Sequence, residues 1–168
     1  MRDIGKACGM THGNLYNYVG SKEDTRRLIL MRDIEGATKL EDFRQELGDA
    51  SYIEVLGACI AEFLRGMDRM TGPLLFFDRE IYKFSLEERR IALDAEVAIV
   101  SFFEGLLREG IEAEDFQVSN PVLLAHDILM YGHDWGVRRW FLRQHVTLEE
   151  YTKEHVQMVL DMVKIKKD

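Results

Sequence analysis

The sequence predicts an all-α protein. Three serine or threonine residues, Ser51, Ser85 and Thr147, each stand three positions before a glutamate, which is the S/T-x-x-E pattern of a helix capping box. Apolar residues behind these caps return every three or four positions, or after two turns, as a helix requires. Alternating apolar and polar runs between Asn-Gly or Asp-Gly turns, which would indicate β-hairpins, do not occur in the sequence.

Eight helices are expected, over residues 2–8, 11–18, 21–46, 51–69, 73–83, 85–109, 121–144 and 147–165. Gly9 separates the first two helices, and Thr11 is placed to cap the second. Ser21 begins Ser-Lys-Glu-Asp, which is close to a capping box and starts the third. The fourth, sixth and eighth helices follow the three caps described above.

Proline marks the remaining two helix starts. Pro73 follows Gly72, and Pro121 follows the capping residue Asn120, so each proline lies just inside a helix. The helix that begins near Pro121 is apolar on more than one face. It is therefore either a central core helix or a helix covered by a second subunit on one side.

Composition restricts the class of protein. The chain has 168 residues, of which 46% are hydrophobic and 31% charged, and its net charge is −8. An acidic chain is unlike a general polyanion binder, although residues 1–40 carry seven cations and five acids and are weakly basic. No apolar run reaches the roughly 18–20 residues of a membrane span, and two cysteines make no disulfide framework. We expect a cytoplasmic protein without membrane contact.

No pattern in the chain indicates catalysis, a metal or a cofactor. Nucleophile-elbow, P-loop, dinucleotide-binding and H-E-x-x-H motifs do not occur. His126-Asp127 and His133-Asp134 are seven residues apart, so the histidines lie about 10.5 Å apart along a helix. That is too far for one metal ion without ligands from other helices. Polar groups at a helix interface are the simpler interpretation.

Residues 2–19 have the spacing of a helix-turn-helix. Gly9 supplies the turn, and a second helix that begins at Thr11 would present its N-terminal end to the DNA major groove. Five apolar residues are predicted to form a small centre for this unit: Ile4, Ala7, Met10, Leu15 and Val19.

The segment 4–24, IGKACGMTHGNLYNYVGSKED, resembles the turn and recognition helix of the TetR family of bacterial transcriptional repressors. The later segments HDWGVRRW (133–140) and TLEEY (147–151) are similar to the last two helices of many members. The resemblance implies a helix-turn-helix head followed by a helical ligand-binding and dimerisation bundle. It implies a homodimeric repressor that a small apolar effector releases from a palindromic, double-stranded operator.

The resemblance also assigns roles in the head. It implies that Thr11, Tyr16 and Lys22 contact phosphates and that Tyr18 lies at the DNA backbone. The residues expected to line the groove are His12, Gly13, Asn14 and Asn17. Of these, Asn14 and Asn17 are the best base readers because an asparagine amide pairs bidentately with adenine. For the two tyrosines, ordinary packing is the alternative.

The resemblance divides the chain into 1–45, the helix-turn-helix region with a connecting helix, and 46–168, the effector-binding and dimerisation domain. It also implies a full helix before the motif, whereas Met1 stands directly before the first helix of the pair. Val19 stands where the family usually has phenylalanine. The expected head is therefore truncated, and a ligand-binding or dimerising module without operator binding is the alternative function. A helical-bundle enzyme, which would need a bound metal or cofactor, is a third.

In the family, the last two long helices form a four-helix bundle with those of a second subunit. Glycines four apart allow close helix approach, and large aromatics favour interfaces. The predicted interface residues are Gly132, Trp135, Gly136, Trp140, Tyr151 and Val159. A monomer core is the alternative for these residues. A two-fold dimer would place its recognition helices about 34–36 Å apart.

An effector cavity is predicted from methionine and aromatic residues with a few polar side chains among them. The full apolar set is Met67, Met70, Phe76, Phe77, Tyr82, Phe84, Phe102, Phe103 and Met130, and the polar partners are Tyr82, His126, Asp127 and His133. The predicted ligand contacts within this set are Met67, Phe77, Tyr82, Phe103, His126, Met130 and His133. An ordinary core is the alternative interpretation.

Overall fold

A computed structural model describes residues 1–21, 24, 25, 28 and 36–165. Over these residues the chain forms helices and turns, with no strand. The helices are α1 (Arg2–Ala7), α2 (His12–Tyr16), α3 (Gly36–Glu46), α4 (Tyr52–Arg69), α5 (Thr71–Glu80), a 3-10 turn (Ile81–Lys83), α6 (Leu86–Glu112), α7 (Pro121–Leu142) and α8 (Leu148–Val163). The all-α prediction is confirmed. Much of the first half of the predicted helix 21–46 lies outside the described residues.

The predicted caps explain where these helices begin. Ser51, Ser85 and Thr147 each accept a hydrogen bond from the backbone amide three residues on, and the glutamate at that position returns one to the cap. Asn120 accepts from the amide of Leu123 at 3.2 Å. Other helix bounds differ from the predicted ones. Helix α6 runs to residue 112, three residues beyond its predicted end, and the predicted helix 73–83 begins at Thr71 and ends in a 3-10 turn.

Helix α4 lies at the centre of the bundle and packs against α3, α6, α7 and α8. Its apolar residues recur at helical spacing, so one broad face is enclosed; the buried set is Val55, Leu56, Cys59, Ile60, Phe63 and Leu64. Helix α3, predicted as the connection from the head, packs against both α4 and α6. None of the described helices is both long enough and apolar enough to cross a bilayer.

Two glycines bring α7 close to its neighbours within the chain. A Cβ on Gly132 would lie 2.7 Å from atoms of Phe63 and Met67 on α4, and one on Gly136 would lie 2.4 Å from Leu74 on α5. The glycine spacing therefore serves packing inside the subunit.

The head has a smaller apolar centre than predicted. Leu15 and Val19 are buried, but Ile4 and Met10 are 36% and 37% exposed, and Ala7 is exposed. Helices of six and five residues offer too little surface to cover all five side chains. Gly9 has the positive φ of 65° that the turn requires.

Candidate functional site: recognition helix and effector cavity

Helix α2 presents a polar surface. The Thr11 hydroxyl accepts a hydrogen bond from the Asn14 amide at 3.2 Å and so starts the helix. Leu15 points inward, while Asn14 and Asn17 are exposed and Tyr18 is 75% exposed. Exposed amide and phenol groups at and just after α2 are suited to phosphates and base edges.

The predicted contacts of this helix are exposed where the structure describes them. The exposed ones are Thr11, Gly13, Asn14, Tyr16, Asn17 and Tyr18. The side chain of His12 and the whole of Lys22 lie outside the described residues. The DNA-contact roles stay predictions.

A cavity of about 560 Å³ lies between helices α3, α4, α5, α6 and α7. Its wall is mainly apolar: Leu40, Phe43, Phe63, Met67, Met70, Leu74, Phe77, Ala92, Ala95, Ile99 and Leu129. Small side chains at Gly66, Ala92 and Ala95 leave this space between α4 and α6. The volume falls in the range of small-molecule sites.

The polar part of the wall is acidic. The charged lining residues are Lys39, Asp42, Glu46, Glu62, Arg69 and Glu96. These two cations and four carboxylates carry a formal charge of −2. Arg69 pairs with Glu62 at 2.8 Å. Across the cavity wall, His133 Nε2 lies 3.6 Å from Glu96 Oε1.

A hydrogen-bonded centre stands beside the cavity. Asp68 Oδ1 accepts from Trp135 Nε1 at 2.9 Å and from Arg143 Nη2 at 3.1 Å, and Arg139 Nη2 lies 3.7 Å away. Burial raises the pKa of Asp68, but the hydrogen bond from Trp135 and the two positive charges outweigh it, so the pKa lies below its usual value. This centre joins the end of α4 to α7.

An ion pair joins α3 to α6. Both terminal guanidinium nitrogens of Arg44 contact the Glu109 carboxylate, with Nη1 to Oε1 at 3.2 Å. The hydrogen bond to Glu109 raises the pKa of Arg44 despite partial burial. Bidentate pairs of this kind fix orientation as well as distance.

Comparison with known proteins decides the family. The sequence model of the tetracyclin repressor-like C-terminal domain matches residues 49–163. The chain belongs to the TetR family of transcriptional regulators. The TetR family is regulatory rather than enzymatic.

Individual relatives are distant in sequence and similar in fold. The chain is 21% identical to the HTH-type transcriptional regulator HbdR of Aromatoleum sp. (strain CIB), over 94% of this chain and 69% of HbdR. The TetR-family regulator PfmR of Thermus thermophilus superposes with a TM-score of 0.79 at 19% identity, over 99% of this chain and 88% of PfmR. AibR, solved with isovaleryl coenzyme A and operator DNA, superposes with a TM-score of 0.69 at 20% identity, over 94% of this chain and 84% of AibR.

In this TetR-family chain the cavity includes three of the seven predicted ligand contacts, Met67, Phe77 and His133. The other four are corrected here. Phe103 is fully buried, packs edge-on against Phe63 at 5.7 Å and does not line the cavity. Tyr82 is 67% exposed in the 3-10 turn.

The last two corrections concern α7. His126 is exposed to solvent, and Met130 is partly buried against the core without lining the cavity. The cavity faces α7 through Leu129 and His133, which are four residues apart on one side of the helix.

Five of the six predicted interface residues are also corrected, because they lie inside the subunit. Trp135 and Val159 are 0% exposed and Tyr151 is 4% exposed. The Tyr151 hydroxyl donates to the Tyr131 carbonyl at 2.8 Å, and Gly132 and Gly136 contact α4 and α5. Of the six, Trp140 alone, 70% exposed, is open to another subunit.

Several large apolar side chains are exposed on the last two helices. On α7, Leu123, Trp140 and Phe141 are 61%, 70% and 49% exposed, and on α8, Met158 and Met162 are 44% and 52% exposed. Sequence pattern alone did not separate these residues from the core, because α7 is apolar on several faces.

Proposed function

We propose that this chain is a dimeric repressor that binds a palindromic operator through α2 and releases it when a small, mainly apolar molecule occupies the cavity. The observation that carries the proposal is the position of α3. This helix follows the DNA-binding head in sequence and also forms part of the cavity wall through Leu40 and Phe43.

An effector would act by its different affinity for two positions of α3. A molecule that contacts Leu40 and Phe43 favours one separation of the two heads. The operator favours another. The Arg44–Glu109 pair holds α3 on α6 and so resists displacement of α3 when the cavity is empty.

The exposed apolar side chains on α7 and α8 support a homodimer. Exposed large side chains on the last two helices are a feature expected of a subunit interface. A two-fold axis beside these helices would pair α7 and α8 with their copies, as in the family.

The AibR complex supports an acyl thioester as one class of effector. In this chain the acidic cavity lining disfavours the phosphates of coenzyme A. Only the apolar acyl portion of such a molecule would enter the cavity. The alternative of a module without operator binding is not favoured, because α2 keeps an exposed polar face and the relatives are regulators.

Selection from a random duplex library tests operator binding. We expect the protein to enrich an inverted repeat, with affinity that falls steeply with salt because phosphate contacts release counterions. Asn14→Ala should weaken binding to that repeat about ten-fold, since one bidentate base contact is lost. Gln157→Ala, which removes an exposed amide on α8, is the control. Failure to enrich any repeat at about 50 mM salt would favour the module without operator binding.

Filling the cavity should block ligand binding. Ala95 lines the cavity and Ala98 faces solvent on the same helix, so tryptophan at each position makes a matched pair. We expect Ala95→Trp to weaken binding of 2-methoxynaphthalene about ten-fold by overlap with the ligand, and Ala98→Trp to leave it unchanged. Fluorescence titration measures both. Equal affinities would show that the probe binds elsewhere.

A further inference from the structure

Glu96 and His133 form a polar site within the apolar wall of the cavity. Glu96 is flanked on α6 by Ala92, Ala95 and Ile99, and His133 is preceded by Leu129 one turn earlier on α7. Their side chains are 36% and 25% exposed. A polar pair placed among apolar lining residues can orient a ligand.

The distance between the two side chains indicates what they bind. At 3.6 Å, Nε2 and Oε1 are too far apart for a hydrogen bond, which needs about 2.7–3.2 Å. Neither side chain makes a hydrogen bond elsewhere within the part of the chain that the structure describes. The separation is shorter than two hydrogen-bond lengths, so a single oxygen atom can lie within reach of both.

We propose that Glu96 and His133 bind a hydroxyl group carried on the apolar part of the effector. The hydroxyl O–H donates a hydrogen bond to Glu96 Oε1, and the hydroxyl oxygen accepts one from His133 Nε2–H. A ligand group at this position must be a hydrogen-bond donor to Glu96 and a hydrogen-bond acceptor from His133 at the same time, and a hydroxyl group is both. The inference rests on the proposed effector role of the cavity and names the ligand chemistry that the cavity selects.

Other groups fit this position less well. A ligand carboxylate has no proton to share with Glu96 and is repelled by its charge. Glu62 is a second half-buried carboxylate in the lining, and it already pairs with the lining cation Arg69. An ether accepts from His133 but leaves Glu96 without a donor. An alkyl group displaces water from both side chains and replaces none of its hydrogen bonds.

Two probes of similar size test the proposal: 2-naphthol, which has the hydroxyl, and 2-methoxynaphthalene, in which a methyl group replaces its proton. Fluorescence titration of the full chain should give a Kd at least about ten-fold lower for 2-naphthol, because the ether leaves a charged acceptor unpaired. The anion 2-naphthoate should bind more weakly than either. Glu96→Leu and His133→Leu should each bring the two probes within about two-fold of one another. Glu112→Leu, which removes an exposed carboxylate on α6 that does not line the cavity, should leave the preference intact.

The outcomes separate the two proposals. Equal affinity of the wild-type chain for both probes, or tighter binding of 2-naphthoate, overturns hydroxyl recognition and leaves the cavity as an effector site. A preference that survives in both leucine variants overturns the assignment to Glu96 and His133. Failure of both probes to bind below about 1 mM overturns the effector role of the cavity together with the inference. The wild-type comparison needs no variant to fold.

Discussion

Replacing Gly110 by alanine should lower the free energy of unfolding by about 3 kcal/mol. A Cβ at this position would lie 2.1 Å from Cδ2 and 2.3 Å from Cε2 of Phe116, far inside van der Waals contact. Phe116 is 3% exposed, so its ring cannot move into solvent without losing its burial. The alanine therefore forces either the ring or the end of α6 to shift.

The contacts around Phe116 hold its ring in place, so the ring cannot shift without loss of other interactions. The amides of Asp115 and Phe116 both donate to the Gly110 carbonyl, at 2.9 and 3.0 Å, and the ring packs edge-on against Tyr52. The next residue, Gln117, donates to the Val163 carbonyl at 2.8 Å and ties the turn to the end of α8. Moving the ring would disturb three helices.

Gly105→Ala is the matched control, because it lies on the same helix and a Cβ there meets no atom within 4 Å. Alanine at that position should raise the free energy of unfolding by about 0.5–1 kcal/mol through its higher helix propensity. Urea unfolding followed by circular dichroism measures both variants. If Gly110→Ala were as stable as Gly105→Ala, Phe116 would not be fixed against α6.

The helix starts were predictable because a cap is a local interaction. Ser51, Ser85 and Thr147 bond to groups three residues away, so both partners stand in one short stretch of sequence. The recognition helix was predictable for the same reason, since Gly9, Thr11 and the tyrosines occupy fixed offsets.

The cavity and the interface depend on contacts between distant residues, and there the prediction fails in part. Sequence order places α3 with the head, and nothing local in the sequence indicates that Leu40 and Phe43 line the cavity. As a large aromatic residue Trp135 is predicted to lie at the interface, but its indole N–H donates to Asp68, which is 67 positions away in the sequence. The spacing of Gly132 and Gly136 predicts close approach of a helix without indicating which helix approaches.

Replacing Asp68 by alanine should lower the free energy of unfolding by about 3 kcal/mol, because it removes the acceptor of the fully buried Trp135 indole and the partner of two arginines. Asp68→Asn keeps an oxygen for Trp135 and loses only the charge, so we expect a loss of about 1 kcal/mol. The control is Asp94→Ala, whose exposed pair with Arg90 spans 3.9 Å and should contribute less than about 0.5 kcal/mol.

The same variants give a pH dependence with a definite sign. The pKa of Asp68 is lowered in the folded chain, so its charge stabilises the fold above the unfolded value of about 3.9 and ceases to do so as the pH falls through the folded value. The stability difference between the wild type and Asp68→Asn should therefore be present at about pH 7 and shrink as the pH falls below about 4. Asp68→Ala should remain less stable than Asp68→Asn at both pH values, because the indole stays unpaired. An unchanged difference between wild type and Asp68→Asn at acid pH would mean that Asp68 acts through its shape alone, and that Arg139 and Arg143 do not hold α7 on α4 by charge.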